Sequence, residues 1–307
     1  MRKLSFIVNP AAGGGREARR GHPLLREIRA QAAGAEVLVM GQPGDARHWA
    51  QGRKDDRGRV VVAVGGDGTV SEIGGALAGG EAALGVLPSG SGNDFARMLD
   101  TPRDVAAAVA FFNTATAGLC DLGEVRVEHA SGERSRHRFL VSIGVGYPGV
   151  VAATASHAGL LRGFPSYLAA ALRGLVTYRS QAMTVTGDSG RVSGKLFLVV
   201  AGKGRWCGGG FQLLPQARLD DGWLHLCRAD AMPIWRILQI LTSAVKGSHG
   251  RHPEVALERS TQLTITCAEG AMVHNDGEWI ASHAVRIDLG LLPRSLLVLG
   301  APGGGLP

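Results

Sequence analysis

The chain has 307 residues, of which 45% are hydrophobic and 19% charged, and carries a net charge of +7. That balance excludes a disordered polymer and suffices for one large domain or two ordinary ones. The basic excess, with a pI of about 9.7, favours anionic partners: nucleotide, nucleic acid or acidic lipid.

Residues 4 to 8 predict a buried strand, stopped by Asn9-Pro10, and Gly13-Gly14-Gly15 predicts a loop. Leu24, Leu25 and Ile28 fall at helical spacing within a helix predicted over 16–33. A strand over 35–40, a turn at Pro43-Gly44-Asp45, a short helix and an unbroken apolar strand over 60–64 follow. A helix over 69–78, a strand over 84–87, a helix start near Gly92 and a helix over 103–112 complete the series. Strands alternating with helices predict a doubly wound, mainly parallel sheet with helices on both faces. Ligands of such sheets sit outside the carboxyl ends of the strands, where Asn9, Gly65 to Thr69 and Gly90 to Asn93 all fall.

The pattern changes after about residue 122. Alternation over 124–128, a Ser131-Gly132 turn and the run Phe139 to Val145 predict antiparallel strands. The runs 182–186, 195–201, 223–228, 262–267 and 284–289 continue them, with helical inserts over 150–177 and 232–246. The Gly-rich end, 303–305, reads as frayed.

Cys120, Cys207, Cys227 and Cys267 are scattered, which predicts reduced thiols in a cytoplasmic protein rather than structural zinc. Arg2 and Lys3 precede only a short apolar run, unlike a secretory leader. No apolar stretch reaches the roughly 18 residues of a spanning helix. Between Arg134 and Gly187 there is no Asp or Glu, while Arg134, Arg136, Arg138, Arg162, Arg173 and Arg179 all occur. Two readings stand: a solvated basic face or a surface that rests on anionic lipid. Ile234, Trp235, Ile237, Leu238, Ile240 and Leu241 predict a core-facing helix. The alternative is a helix at the bilayer interface, flanked by Arg236 and Lys246.

Gly65-Gly66-Asp67-Gly68-Thr69 follows the strand 60–64 and opens a helix. Its glycines let a backbone pass close to a ligand, and amides at a helix start suit phosphate oxygens. Asp67, being negative, is read as acting through Mg²⁺, through water or by orienting the loop. Pro88-Ser89-Gly90-Ser91-Gly92-Asn93-Asp94 is a second such loop. No Gly-x-x-x-x-Gly-Lys-Ser/Thr loop and no Gly-x-Ser-x-Gly elbow is present. Gly144, Gly146 and Gly149 make a formal dinucleotide fingerprint, but the acid expected about 20 residues on is absent, so they read as a glycine bend.

Together the segments Phe6-Ile7-Val8-Asn9-Pro10-Ala11-Ala12-Gly13, Gly65 to Glu72 and Pro88 to Arg97 resemble the diacylglycerol kinase catalytic domain family. That family includes bacterial lipid kinases, sphingosine kinases and ceramide kinases. Gly208-Gly209-Gly210-Phe211, Pro215, Asp220-Asp221-Gly222 and Asp276-Gly277-Glu278 are similar to its later motifs, in order, over nearly the whole chain. NAD kinases and phosphofructokinases share the Gly-Gly-Asp-Gly theme. The resemblance implies an α/β nucleotide-binding domain over 1–122 with 290–307, and an antiparallel β-sandwich substrate domain over 123–289, with an active cleft between them.

It also implies roles. ATP would meet Asn9, Pro10, Gly13, Gly65, Gly66, Asp67, Gly68, Thr69, Val70, Ser71, Glu72, Gly90, Ser91 and Asn93. Ser91 stands where the family usually has Thr and Ser71 where it has Asn; Met40 takes no role. Asp221 resembles a Mg²⁺ carboxylate, with the carbonyls of Arg218 and Trp223 beside it. Glu278 resembles the general base, with Asp276 as rival and Asp67 in support. A lipid hydroxyl attacking the γ-phosphate needs in-line positioning, a cation and a carboxylate for its proton. Asp-Gly is also a strong hairpin signal, and a turn can present an acid.

The expected activity is that of an ATP- and Mg²⁺-dependent lipid kinase acting on diacylglycerol first or a sphingoid base second. The alternatives are a kinase of a soluble substrate such as NAD and a non-catalytic nucleotide binder. The expected partners are a lipid and the anionic inner face of a membrane, bound peripherally; a homodimer is left open and no specific nucleic acid is expected.

Overall fold

Five apolar residues in a row, Val60 to Val64, can be a strand only if both faces are covered, and β3 (Arg59–Gly65) is covered on both. The computed structural model describes residues 2–10, 12, 23–90, 92–157 and 164–300, without the side chains of 156, 157 and 164–170. Gly13, Gly14, Gly15, Ser91, Arg162 and the segment 303–305 lie outside the described residues. The chain divides into two units, Met1–Leu122 with Pro293–Pro307, and Gly123–Leu292.

In the first unit β3 pairs in parallel with β1 (Lys3–Val8) and β4 (Ala83–Pro88), and β1 pairs in parallel with β2 (Glu36–Val39). Phe6, Val8, Val60, Val62 and Val64 point to one face. They pack there with Leu25 and Ile28 of α1 (Pro23–Gln31) and with Ala108, Val109 and Phe112 of α5 (Val105–Thr114). Phe6 meets Phe112 edge to face, with centroids 6.5 Å apart. The alternate residues Ile7, Val61 and Ala63 are fully buried on the other face. α2 (Asp45–Gln51) joins β2 to β3, α3 (Asp67–Leu77) joins β3 to β4, and α4 (Asp94–Met98) follows β4. Asp104 caps α5 by accepting the Ala107 amide at 2.9 Å.

The second unit is antiparallel. It holds β6 (Arg134–Phe139), β7 (Ser142–Gly146), β8 (Gln181–Gly187), β9 (Gly190–Gly202), β10 (Leu224–Asp230), β11 (Val255–Ser260) and β12 (Leu263–Asn275). β9 pairs with β8 through its first half and with β7 and β10 through its second. β12 pairs with β8 near Thr264–Thr266 and with β7 near Val273–Asn275, so β7, β9, β8 and β12 close a ring. The register of β12 shifts between Thr266 and Ala271, where Gly270 takes φ 78. Its helices are α6 (Tyr147–His157), α7 (Phe164–Thr177) and α8 (Ile234–Ala244).

Two strands belong to both units. β5 (Ala117–His129) runs out of the first and pairs with β6 in the second. β13 (Glu278–Leu299) pairs with β12 at its start and in parallel with β4 at Val298. β11 and the full lengths of β12 and β13 exceed the sequence expectations. The run expected as one strand, Phe139 to Val145, is two, broken at Leu140-Val141.

The glycine bend is structural. A Cβ on Gly144 would fall 2.2 Å from His274 Nε2, and one on Gly149 2.4 Å from the Met272 carbonyl, so both glycines let α6 and β7 press onto β12. Among the described residues no helix is long and apolar enough to cross a membrane.

Candidate active site

In the first unit three strand-end loops meet. Asn9 leaves β1 and its Nδ2 donates to Thr69 Oγ1 at 2.8 Å, while its backbone N–H donates to the Val64 carbonyl at 3.0 Å. Pro10 follows in a turn closed by the Ala12 amide on the Asn9 carbonyl. Gly65 lies against Thr69 so closely that a Cβ there would fall 2.7 Å from it. A Cβ on Gly90 would fall 2.3 Å from Gly66 Cα, so the loops after β3 and β4 touch backbone to backbone. The Ser89 amide, donating to the Gly65 carbonyl at 3.0 Å, binds them further.

The second loop is locked from inside. Asn93 takes φ 54, accepts the Gly90 amide at 2.9 Å and donates back to the Gly90 carbonyl at 2.7 Å. Asp67, on the first turn of α3, is turned away from that helix and accepts the Phe95 amide at 3.0 Å. Burial pushes its carboxyl up, opposed by the amides of Phe95, Asp94 and Asn93 and by the charge of Arg97. Asp67 therefore caps α4 and fixes one loop against the other. Gly66, at the start of α3, carries no side-chain cap. Among the described residues the first-turn amides of α3 thus meet no capping side chain, as a phosphate site requires. Ser89 Oγ is buried with no hydrogen-bond partner among the described residues, a cost that an incoming acceptor would remove. Val70 is buried in the core, Ser71 is half-buried, and Glu72 Oε1 accepts the Arg47 amide at 3.3 Å.

In the second unit the two candidate bases differ. Asp276 is buried and accepts three amides at 2.8 Å, from Leu140 on one oxygen and from Val141 and Ser142 on the other. It sits at φ 48 in the hairpin turn and is engaged in holding the start of β7. Glu278 opens β13 and is exposed. His274 lies beneath the turn and its Nδ1 accepts the Gly277 amide at 3.2 Å; burial pushes it down to about 4.

Asp221 Oδ1 lies 2.5 Å from Lys203 Nζ and 3.2 Å from the Trp223 amide, and Oδ2 lies 2.7 Å from His225 Nε2. Burial alone would raise the Asp221 carboxyl. The hydrogen bond to His225 and the bond and charge of Lys203 outweigh it and hold the group at about 2. Lys203 Nζ also donates to the Trp223 carbonyl at 2.9 Å. Two of the oxygens expected to hold Mg²⁺, Asp221 Oδ1 and the Trp223 carbonyl, are therefore taken by an ammonium, and as arranged these two do not fit a divalent ion. Arg218 is exposed, and its side chain pairs with Asp220 at 3.4 Å. Among the described residues no group of three or more His, Cys, Asp or Glu could hold a metal.

Lys203, His225 and His274 went unnoticed in the sequence. The one signal was a lysine set between Gly202 and Gly204 directly after a buried strand. The acid-free stretch is also less basic than it reads, since Arg134 pairs with Glu128 and Arg136 with Glu124, both on β5.

Comparison with known proteins finds two family matches in succession along the chain. The diacylglycerol kinase catalytic domain matches residues 3–125, and the YegS C-terminal NAD kinase beta sandwich-like domain matches 141–300. A protein of Pseudomonas aeruginosa named "Probable lipid kinase YegS-like" is 30% identical over 94% of this chain and 91% of its own length. A diacylglycerol kinase of Mycobacterium tuberculosis is 26% identical over 97% and 94%. Among solved structures, a diacylglycerol kinase from Bacillus anthracis superposes with a TM-score of 0.72 at 21% identity, covering 98% of this chain and 97% of its own. Yeast NADH kinase complexed with NADH superposes at 0.50 with 11% identity, covering 98% and 84%; at such identities the likeness is one of fold.

Proposed function

The chain belongs to the diacylglycerol kinase catalytic domain family, a family of phosphotransferases, and on that footing we propose that it phosphorylates a lipid hydroxyl. The donor is ATP, taken as its magnesium complex. The first acceptor is diacylglycerol, giving phosphatidic acid, and the second a sphingoid base. The first unit would then be a doubly wound nucleotide domain of the NAD kinase and phosphofructokinase kind, and the second a β-sandwich.

The observation that carries the reading is the convergence of the loops after β1, β3 and β4, through the Asn9–Thr69 bond and the Gly66–Gly90 contact. Amides at the start of α3 and the Ser89 hydroxyl, unpartnered among the described residues, receive phosphate oxygens. Asn9, Asp67 and Asn93 act by holding those loops in register. Glu278, the exposed acid of the hairpin, takes the proton of the lipid hydroxyl as its oxygen attacks the γ-phosphorus and ADP leaves.

A route to a membrane-resident substrate is needed, because a long acyl chain rarely leaves the bilayer. On α8, Ile237, Ile240 and Ala244 face the core, while Ile234, Trp235 and Leu238 remain exposed. That outer apolar face is the peripheral membrane contact in this reading. Arg236 is excluded from it as an anchor, because Glu254 holds its guanidinium at 2.7 and 3.0 Å.

The test is transfer of γ-labelled phosphate from ATP into diacylglycerol, sphingosine, ceramide, phosphatidylglycerol and a polyprenol in micelles, with NAD in a parallel tube. Label in one lipid, lost in Glu278→Ala, supports the reading and names the acceptor. Label in NAD, or none despite ATP binding, overturns it.

A further inference from the structure

The Asp221 site has the donor chemistry of a hard-cation site without the room for an ion. A carboxylate oxygen and a backbone carbonyl, those of Asp221 and Trp223, converge on one point, as oxygens do around Mg²⁺ or Ca²⁺. Lys203 Nζ sits at that point, 2.5 and 2.9 Å from the two oxygens. A divalent ion bonded to both would overlap the ammonium nitrogen and repel its charge.

The lysine is built in rather than swung in. Its side chain is wholly buried. The amides of Lys203 and Gly204 both donate to the Val141 carbonyl, at 2.9 and 3.0 Å, which fixes the loop on both sides of the Cα. Gly202 and Gly204 make this approach possible, since a Cβ on either would fall 2.1 Å from the Val141 carbonyl oxygen or 2.7 Å from its side chain. A buried ammonium without its counter-charge is costly, so Lys203 and Asp221 depend on each other.

We propose that Lys203 is a tethered substitute for a divalent cation, its ammonium tying the Asp221 carboxylate to the Trp223 carbonyl so that this loop holds its shape with no bound metal. The loop is then insensitive to chelators, and removal of the ammonium turns it into a metal site. The inference stands apart from phosphoryl transfer, because it concerns the free protein and is read without turnover.

The experiment uses the full chain without nucleotide and Mn²⁺ as probe. His225 lies against Asp221, so a bound Mn²⁺ broadens its ring-proton NMR signals, which are assigned by comparison with His225→Gln. In the wild-type protein those signals stay sharp through stoichiometric Mn²⁺, and EDTA leaves Tm unchanged. In Lys203→Asn the Tm falls, millimolar Mg²⁺ or Mn²⁺ restores part of it, and the His225 signals broaden; Asp221→Asn in the same chain abolishes both responses. Broadening in the wild type, a wild-type Tm lowered by EDTA, or a folded Lys203→Asn protein that gains no Mn²⁺ response overturns the proposal. Should Lys203→Asn fail to fold, the wild-type titration still decides it.

Discussion

Asp276 Oδ1 accepts the backbone N–H of Val141 at 2.8 Å, tying the hairpin that carries Glu278 to the start of β7. The two acids of this hairpin therefore separate by role. Asp276→Ala leaves three buried amides without an acceptor, at about 1–3 kcal/mol for each orphaned donor, and lowers Tm and activity together. Glu278→Ala removes an exposed side chain, leaves Tm near that of the wild type and abolishes kcat. Thermal melts beside turnover assays check the split; equal loss of Tm in both variants contradicts it.

The first unit was legible because its signals are local. The run Val60 to Val64 is fully buried and bounded by glycine, and Leu25 and Ile28 keep helical spacing toward the sheet. The second unit was harder, because its strands outlast their apolar runs. β13 continues across Gly290 and Pro293, beyond the run 284–289 that predicts it, and β11 shows only a burial of its two terminal residues. The site loops were visible from their glycines. The capping role of Asp67 and the engagement of Asp276 were not, since each depends on amides brought from 28 and 134 to 136 residues away.

Gly90→Ala tests the contact between the phosphate-side loops. Its Cβ would fall 2.3 Å from Gly66 Cα, a distance that backbone must yield to accommodate. Expected are a rise of at least tenfold in Kd for ATP, about 1.4 kcal/mol, and a lower Tm. Isothermal titration with an ATP analogue reads the first; unchanged affinity removes the loops from nucleotide binding.

Stability falls in weak acid. His274 is held near 4, against an ordinary value of 6.5, by burial. The unfolded chain therefore takes up a proton there before the folded one does. The contribution is complete above pH 6.5 and is lost as pH drops toward 4, reaching about 3 kcal/mol. Burial also lowers His249, which acts in the same direction. Asp221, held at about 2 against 3.8, adds a further loss between those values. Urea midpoints measured across this range check the slope, and His274→Gln flattens it between pH 6.5 and 4; a flat wild-type profile contradicts the assignment.

Membrane contact through α8 predicts sedimentation with anionic vesicles at low salt. Trp235 is 68% exposed and Ile234 45%. Replacing both with Ser reduces the bound fraction several-fold and leaves Tm unchanged, because neither fills the core. Binding that survives the double substitution moves the contact elsewhere.

The last segment of β13 has a consequence for how the protein is made. Leu296, Val298 and Leu299 are buried in the first unit, Val298 pairs with Leu84 of β4, and the Gly79 amide reaches the Ser295 carbonyl at 2.6 Å. During translation the ribosome delivers residues 1 to 122 first, yet the strand that completes their sheet emerges only after some 170 further residues of the second unit (Gly123–Leu292). Until then β4 is an open edge, ready to pair with any extended chain nearby. The nascent protein thus spends most of its synthesis with an unsealed sheet, and a protein cut short before its last strand would present that edge to the chaperones and to its own copies.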